Sequence, residues 1–349
     1  MKRCNRCILP ESVPGIRFDD QDGCNYCGMY QEHQPLGVDA LRQKMERHRR
    51  VGAAYDCIVP CSGGRDSSYV LYFVARELGL RPLAVNFDNE FATEQAVANI
   101  RAACDKLAAT LRRVGSGRSL ASKVVHHNLL SSDRYADLNL CRACSYGMYS
   151  IIYGTAAELG IPMVVWGDSR QESTQAVKKA VGKHLAKKRG RERYLNPHYL
   201  HYEYFYLRQR MEFPVKGNSL WSRGTPQLRI AGIEEIHLFD FVEWDRGLIK
   251  KTIQEELGWR APEGSVSTWR TDCAIAPLIN FIHTKIYGCT KSCFGYGNMI
   301  RSGKMTRDEA LAQENSFLAS LTDDFAADLM TRVLGLSPQQ ARTIVSTYR

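Results

Sequence analysis

The stretch "CSGGRDSSYVLYF" (residues 61–73) places small and polar residues between an apolar segment and a segment of helical periodicity. The residues before it, 56–60, predict a buried strand, and residues 67–78 predict a helix. Two adjacent glycines let the backbone come close to an anion, and the amides at the start of a helix favour phosphate. The stretch therefore predicts a phosphate-binding turn between a strand and a helix.

The sequence around this turn alternates between strand and helix patterns. Further elements are predicted over 83–88, 111–114 and 163–167 as strands and over 93–107, 145–159 and 174–194 as helices. Such alternation is typical of a parallel sheet with helices on both faces, so we expect a doubly wound α/β fold. In that fold ligands bind beyond the carboxyl ends of the strands, where this turn would lie.

We predict three parts of the chain: a cysteine-bearing module over 1–36, the α/β domain over 37–195 and a mostly helical region over 196–349. The composition is 44% hydrophobic and 24% charged, with no apolar segment long enough to cross a bilayer, which predicts a soluble, cytoplasmic protein. The net charge of +10 predicts attraction to phosphate-bearing partners.

Four of the twelve cysteines form two Cys-x-x-Cys pairs near the start of the sequence: Cys4 with Cys7, and Cys24 with Cys27. In a reducing compartment such pairs indicate metal binding rather than disulfides. Four thiolates at this spacing predict a tetrahedral Zn²⁺ site with no open position. We therefore expect a structural zinc ion that stabilises a module too small to form its own core.

The turn itself is not a Walker A loop, because no Gly-Lys-Ser/Thr follows the glycines. Ser62-Gly63-Gly64-Arg65-Asp66-Ser67 resembles the loop of the PP-loop ATP pyrophosphatases, which cleave ATP to AMP and pyrophosphate. The resemblance implies that Ser62, Gly63, Gly64, Ser67 and Ser68 hold the pyrophosphate, with Ser62, Asp66 and Ser67 as the catalytic set. It also implies Mg²⁺, with Asp66 ordering either the loop or that ion. Asp88 and Asp168, at the ends of two further strands, are either nucleotide or metal contacts or helix caps.

Several longer stretches resemble the N-acetyl sugar amidotransferases. They are "PGIRFDDQDGCNYC" (14–27), "SGGRDSSYV" (62–70), "GLRPLAVNFDNEF" (79–91), "EELGW" (255–259) and "IRSGKMTRDEAL" (300–311). This resemblance implies adenylation of an N-acetyl oxygen on a nucleotide-linked sugar. Ammonia would then displace AMP to give an acetamidino sugar for surface polysaccharide. It also implies a separate glutaminase or ammonia-channelling partner.

The stretch "NLCRACSYGMYSIIYGTAAELGIPMVVWGD" (139–168) resembles instead the PP-loop enzymes that thiolate transfer RNA. That resemblance implies a 4Fe-4S cluster held by Cys141, Cys144 and one later cysteine: Cys273, Cys289 or Cys293. Three thiolates on a four-iron cube leave one iron free to carry sulfur. A second zinc site and cysteines without any metal are the alternatives.

Two reaction classes therefore share one adenylation step. Nitrogen transfer to a nucleotide sugar is the main interpretation, and sulfur transfer to tRNA or a small molecule is its alternative. The basic segment 174–194 would meet an RNA backbone in the second case. A non-catalytic nucleotide-binding subunit is a third hypothesis, which the complete set of side chains in the 62–67 loop argues against.

Overall fold

The computed structural model describes residues 1–49, 52–115, 120–130, 140–171, 232–265 and 268–348. Its centre is a five-stranded sheet in the order β3-β2-β1-β4-β5, with every described pairing parallel. The strands are Cys57–Pro60 (β1), Pro82–Asp88 (β2), Thr110–Gly115 (β3), Met163–Trp166 (β4) and Glu234–His237 (β5). The parallel α/β architecture expected from the sequence is thus confirmed.

Six helices are described before β4 and β5 complete the sheet. They are Asn25–Gly28 (α1), Val38–Glu46 (α2), Arg65–Tyr72 (α3, continued by a π-helical turn over Phe73–Glu77), Glu94–Leu107 (α4), Leu120–Leu130 (α5) and Leu140–Leu159 (α6). Six more follow β5: Arg246–Leu257 (α7), Ala276–Tyr287 (α8), Lys291–Arg301 (α9), Arg307–Ser320 (α10), Asp323–Leu334 (α11) and Pro338–Ser346 (α12). The predicted helical C-terminal region is confirmed for the described residues.

Both faces of the sheet are covered, because alternate residues of each strand belong to different apolar clusters. Val59 of β1 and Val165 of β4 pack in the large cluster that also contains residues of α3, α4 and α7. Ile58 and Val164, which pair across the same two strands, pack with Ile152 of α6 on the opposite face. Helices therefore pack on both faces of the sheet, and the phosphate-type loop described below lies at its carboxyl edge.

The structure differs from the sequence-based prediction in several elements. The strand β5 was not predicted; it follows the proposed domain boundary at 195, which remains a prediction, and completes the same sheet. Helix α6 begins at Leu140, earlier than the predicted 145, and no separate helix was predicted over Leu120–Leu130 (α5) or Lys291–Arg301 (α9). The predicted basic helix over 174–194 lies outside the described residues.

The N-terminal module packs on helices near the other end of the sequence. The Arg307 guanidinium of α10 donates hydrogen bonds to the carbonyl oxygens of Cys7 at 3.1 Å and Cys4 at 3.4 Å. The Gly37 amide donates to the Phe241 carbonyl oxygen at 3.0 Å, beyond β5. Within the described ranges, none of the helices combines the length and apolar character needed to span a bilayer.

Candidate functional site

The phosphate-type loop lies at the carboxyl end of β1, the central strand of the sheet, and leads directly into α3. Gly63 has φ of +80° and lies against α4, so that a Cβ atom there would overlap the carbonyl oxygen of Ala96. Its own carbonyl oxygen accepts hydrogen bonds from Trp259 Nε1 at 3.0 Å and from Asn99 Nδ2 at 3.3 Å. Only glycine fits this position, because both the dihedral angle and the close approach exclude a side chain.

The serines of the loop contact one another across the turn. The hydroxyls of Ser62 and Ser67 are 3.1 Å apart, and Ser62 Oγ accepts a hydrogen bond from the Gly64 amide at 3.3 Å. Ser68 is buried and continues α3, with its amide bonded to the Gly64 carbonyl oxygen at 3.1 Å. The loop therefore holds hydroxyls and amides at the positive end of α3, and this arrangement binds phosphate oxygens.

The carboxylate of Asp66 is occupied by protein partners. Arg65, which is 2% exposed, donates to both of its oxygens at 3.0 and 2.7 Å, and Trp244 Nε1 donates to Oδ1 at 3.2 Å. The Arg65 guanidinium also lies over the Trp244 ring, 5.1 Å from its centroid. Of the two roles implied for Asp66, this geometry favours the ordering of the loop over binding an ion.

The C-terminal segment 268–273 crosses the same loop. Arg65 donates a hydrogen bond to Thr268 Oγ1 at 2.9 Å, and a Cβ atom on Gly64 would lie 3.3 Å from Asp272 Oδ2. The Asp272 carbonyl oxygen accepts from the Thr93 amide at 3.2 Å, ahead of α4. The segment thus brings the carboxylate of Asp272 to the phosphate-type loop, and the residue after Asp272 is Cys273.

Three cysteines come together on the β2 side of this loop. Cys141 and Cys144 are in the first two turns of α6, and Cys273 forms an isolated antiparallel bridge with Ala92, just beyond β2. Burial raises the pKa of Cys273 to about 11 and also raises that of Cys144, which interacts electrostatically with both other thiols. Arg270, with φ of +52°, interacts electrostatically with the three thiols and favours their charged form.

The three sulfurs are not packed around a single point. Across the described residues, the four N-terminal cysteines are the group of three or more potential ligands whose atoms all lie within 4.8 Å of one another. A single zinc ion needs such close sulfurs, whereas the thiolates on an iron–sulfur cube bind different irons and are further apart. The start of α6 and Arg270 favour anionic sulfur at these cysteines, which is the form in which cysteine binds a metal ion or an iron–sulfur cluster.

The N-terminal cysteines have the tighter geometry. Cys4 and Cys27 Sγ are 3.8 Å apart, Cys7 and Cys24 Sγ 3.7 Å, and Cys24 and Cys27 Sγ 3.6 Å. With four sulfurs at about 2.3 Å from a central zinc, a tetrahedron has edges of about 3.8 Å. Amides of Cys7 and Cys24 donate to Cys4 Sγ at 3.4 and 3.2 Å, which orients that ligand. The four thiols therefore fit a metal ion whose tetrahedral coordination sphere they complete.

Arg301 of α9 joins the N-terminal site to the rest of the molecule. Its guanidinium donates to Cys27 Sγ at 3.4 Å and to Cys7 Sγ at 3.5 Å. Hydrogen bonds from Cys24 and Cys7, together with Arg301, hold the pKa of the Cys27 thiol below its usual value. A cation here offsets part of the charge that four thiolates bring to one ion.

Two other predicted ligands lie elsewhere. Cys289 and Cys293 are fully buried at the start of α9, where Cys293 Sγ is 3.8 Å from the Ile8 carbonyl oxygen and 3.9 Å from an Arg3 nitrogen. These contacts belong to the packing of the N-terminal module. Of the three cysteines considered as a partner for Cys141 and Cys144, the geometry brings Cys273 to them.

The two strand-end acids are each paired with a basic side chain. Asp88 Oδ2 is 2.8 Å from Arg113 of β3, and its other oxygen accepts from the Glu90 amide at 3.2 Å. Asp168 Oδ1 is 2.7 Å from His237 Nδ1, and this hydrogen bond raises the pKa of His237. Their contact with nucleotide or metal stays a prediction.

Sequence reasoning missed the residues that hold the loop from a distance. Trp244, Trp259, Thr268 and Asp272 all come from the C-terminal half of the chain and meet the loop only through the tertiary fold. The stretch "EELGW" was noted, but nothing local in it indicates that the indole of Trp259 caps the Gly63 carbonyl oxygen. A buried tryptophan that needs an acceptor was the available signal.

Comparison with known proteins gives sparse results. No family model matches the chain. An uncharacterised protein of Methanocaldococcus jannaschii is 24% identical over 102 residues, which are 28% of this chain and 36% of that protein, so the chain spans about a third of its length. The U34-tRNA thiolase NcsA from Methanococcus maripaludis, solved with its 4Fe-4S cluster, has a TM-score of 0.36 and 13% identity, over 86% of this chain and 87% of that one. The chemistry is therefore argued from the site itself.

Proposed function

We propose that this chain is an ATP-dependent transferase that activates a carbonyl oxygen of its acceptor by adenylation. The observation that carries the proposal is the path of segment 268–273, which passes over the phosphate-type loop at Asp272 and reaches the cysteine triad, Cys141, Cys144 and Cys273, one residue later. This path places the loop and three thiols at one edge of the sheet. Both halves of a two-step transfer then fit in one site.

In the first step the acceptor oxygen attacks the α-phosphorus of ATP, and the bond to the departing pyrophosphate breaks. Ser62, Ser67 and the amides after Gly63 would hold that pyrophosphate, and Mg²⁺ would offset its charge. Arg65 and Trp244 keep Asp66 fixed, and Trp259 and Asn99 keep the Gly63 carbonyl turned away from the ligand. The protein thus supplies alignment and charge stabilisation.

In the second step a nucleophile adds to the activated carbon, the bond to the AMP oxygen breaks, and AMP leaves. The triad favours sulfur as the transferred atom, because three thiolates on a 4Fe-4S cluster leave one iron open, and a bound cluster would supply sulfide chemistry there. The acceptor would then be a tRNA base or a small carbonyl compound. We assign Zn²⁺ to the four N-terminal cysteines, where it would be structural.

Nitrogen transfer is the second candidate, and the packing of the N-terminal module supports it. Residues 300–311, which resemble the N-acetyl sugar amidotransferases, supply Arg301 and Arg307 to the module, and residues 14–27 resemble the same family. The acceptor would be a nucleotide-linked N-acetyl sugar, and a separate glutaminase would provide ammonia. The two resembling stretches form one interface, so they support a shared scaffold more than a particular acceptor.

Product analysis with protein purified without oxygen tests the proposal. We expect acceptor-dependent conversion of ATP to AMP and pyrophosphate, with at least about a hundredfold loss in Ser67→Ala and little change in Ser265→Ala, an exposed serine outside the loop. The mass of the acceptor distinguishes exchange of oxygen for sulfur from exchange for an imino nitrogen. Formation of ADP and phosphate, or an unchanged rate in Ser67→Ala, would contradict adenylation at this loop.

A further inference from the structure

A cavity of about 580 Å³ lies on the other side of the phosphate-type loop from the cysteine triad. Residues 26 and 29–33 of the N-terminal module form one wall, and residues 168–171, which follow β4, form the opposite wall. His237 at the end of β5, Asp240, Asn298 and Arg301 complete the lining. The volume is that of an ordinary small-molecule site.

The cavity adjoins the loop through the end of β4. A Cβ atom on Gly167 would lie 3.3 Å from the Asp66 carbonyl oxygen, and the cavity wall begins at the next residue, Asp168. Because β1 lies between β2 and β4 in the sheet, the loop separates this cavity from the triad, which lies on the β2 side. A group held in the cavity would therefore approach the loop from the side opposite the thiols.

The basic side chains named in the cavity lining each have a partner within the protein. Arg170 Nε is 2.8 Å from Asp240, and His237 is 2.7 Å from Asp168. Arg301 donates to the thiols of Cys7 and Cys27, as described above. Because these cations already have anionic or thiol partners, the lining favours a neutral polar group over a phosphate.

One buried acceptor in the wall lacks a donor. Gln171 is 7% exposed, and its Oε1 has no hydrogen-bond partner among the described residues. A buried amide oxygen in this state costs free energy that a ligand N–H or O–H would recover. The ring of Tyr30 and the imidazole of His33 also line the cavity and offer flat surfaces to a planar group.

We propose that this cavity binds the acceptor through a planar amide group, in which an N–H lies beside the carbonyl that is to be adenylated. Gln171 Oε1 accepts the N–H, and the carbonyl is directed toward the loop. The N-terminal module is then one wall of the acceptor site as well as a metal-stabilised fold. This inference rests on the proposed adenylation, and it names the chemistry that uracil and an N-acetyl group share.

Ligand-observed NMR with the metal-loaded full chain tests the inference without requiring turnover. The probes are uridine and N-acetylglucosamine, each with a partner that lacks the amide N–H: 3-methyluridine and glucose. We expect one amide probe to bind at least about tenfold more tightly than its partner. Which probe binds identifies the source of the amide, a base or a sugar.

Two variants and a control complete the test. Gln171→Met removes the acceptor oxygen at similar volume and should weaken binding of the amide probe about tenfold. Gln43→Met, on an exposed face of α2, should leave binding of the probe unchanged. Tyr30→Ala opens the cavity wall at a partly exposed residue and should also weaken binding of the probe. This variant tests the inference even if Gln171→Met fails to fold.

Three results would overturn the inference: equal binding in Gln171→Met and Gln43→Met, equal binding of each probe and its N–H-free partner, or displacement of the probe by a non-hydrolysable ATP analogue. The last would show that the cavity takes the nucleotide. Pyrophosphate release is measured separately, so a chain that binds the probe without releasing pyrophosphate contradicts the proposed function and leaves the cavity assignment standing.

Discussion

The two groups of cysteines in this chain differ in the spacing and in the burial of their sulfurs. In the four-cysteine site the sulfurs lie 3.6 to 3.8 Å apart in the measured pairs, three of the four are buried, and α9 and α10 pack against the site. In the triad the sulfurs are more widely placed, half-buried, and beside a loop that faces the carboxyl edge of the sheet. Close thiolates complete a coordination sphere, whereas spaced thiolates leave room for chemistry.

The largest expected effect is on stability, at the four-cysteine site. Cys24→Ser removes one of four ligands from a module whose apolar residues are few, so we expect loss of zinc and a fall in melting temperature of at least about 10 °C. Metal analysis and thermal denaturation measure both. Retention of zinc and of the wild-type melting temperature would show that the site is not structural.

The second prediction concerns a Cys→Ser substitution in the triad. Cys273→Ser should leave zinc content and melting temperature close to wild type, but abolish iron–sulfur absorption and lower product formation at least about a hundredfold. Cys289→Ser is the control, because Cys289 is buried in a different apolar cluster from the triad, and it should keep the absorption. If Cys289→Ser loses the cluster and Cys273→Ser keeps it, the ligand assignment is wrong.

The third prediction compares two arginines that hold the N-terminal module. Arg301→Gln loses two charge-assisted hydrogen bonds to thiols and should cost about 2 kcal/mol of unfolding free energy, whereas Arg307→Gln loses bonds to carbonyl oxygens and should cost about 1 kcal/mol. Denaturant unfolding of both variants measures the difference. The reverse order would mean that the thiols do not carry negative charge.

The smallest expected effect concerns the cavity and involves no thiol. Asp168 raises the pKa of His237 above its ordinary 6.5, so the pair stabilises the folded chain while the imidazole is protonated. The contribution is fully present below pH 6.5 and is lost as pH rises through the raised pKa. The melting temperature of His237→Gln should therefore fall below wild type at low pH and approach it at high pH; a pH-independent difference would contradict the pair.

The sequence predicted those parts of the molecule in which neighbours along the chain make the structure. The loop at 61–68, the parallel strands and the four-cysteine spacing are local patterns, and the structure contains each of them. Strand β5 was missed because Glu234–His237 is short and mostly polar, and its conformation is fixed by pairing with β4. An edge strand of this kind has almost no signal of its own.

The choice among Cys273, Cys289 and Cys293 depended on tertiary contacts. All three follow Cys144 by more than a hundred residues in the sequence. Cys273 comes near Cys141 and Cys144 because segment 268–273 crosses the phosphate-type loop. The role of Asp66 was likewise undetermined, because its partner Trp244 lies far along the chain. Sequence spacing fixes a ligand set when the ligands are close in the chain, and the remaining ligands are fixed by the fold.

The separation of Cys273 from its partners has a consequence for how the protein is made. The four N-terminal cysteines leave the ribosome together and early, so their metal is available to a nascent chain. The triad is complete only after most of the polypeptide has been synthesised and its sheet has formed, because Cys273 reaches α6 through that sheet. Under the proposed function, a cluster is therefore inserted at the second site only after the sheet has formed and has brought Cys273 to Cys141 and Cys144.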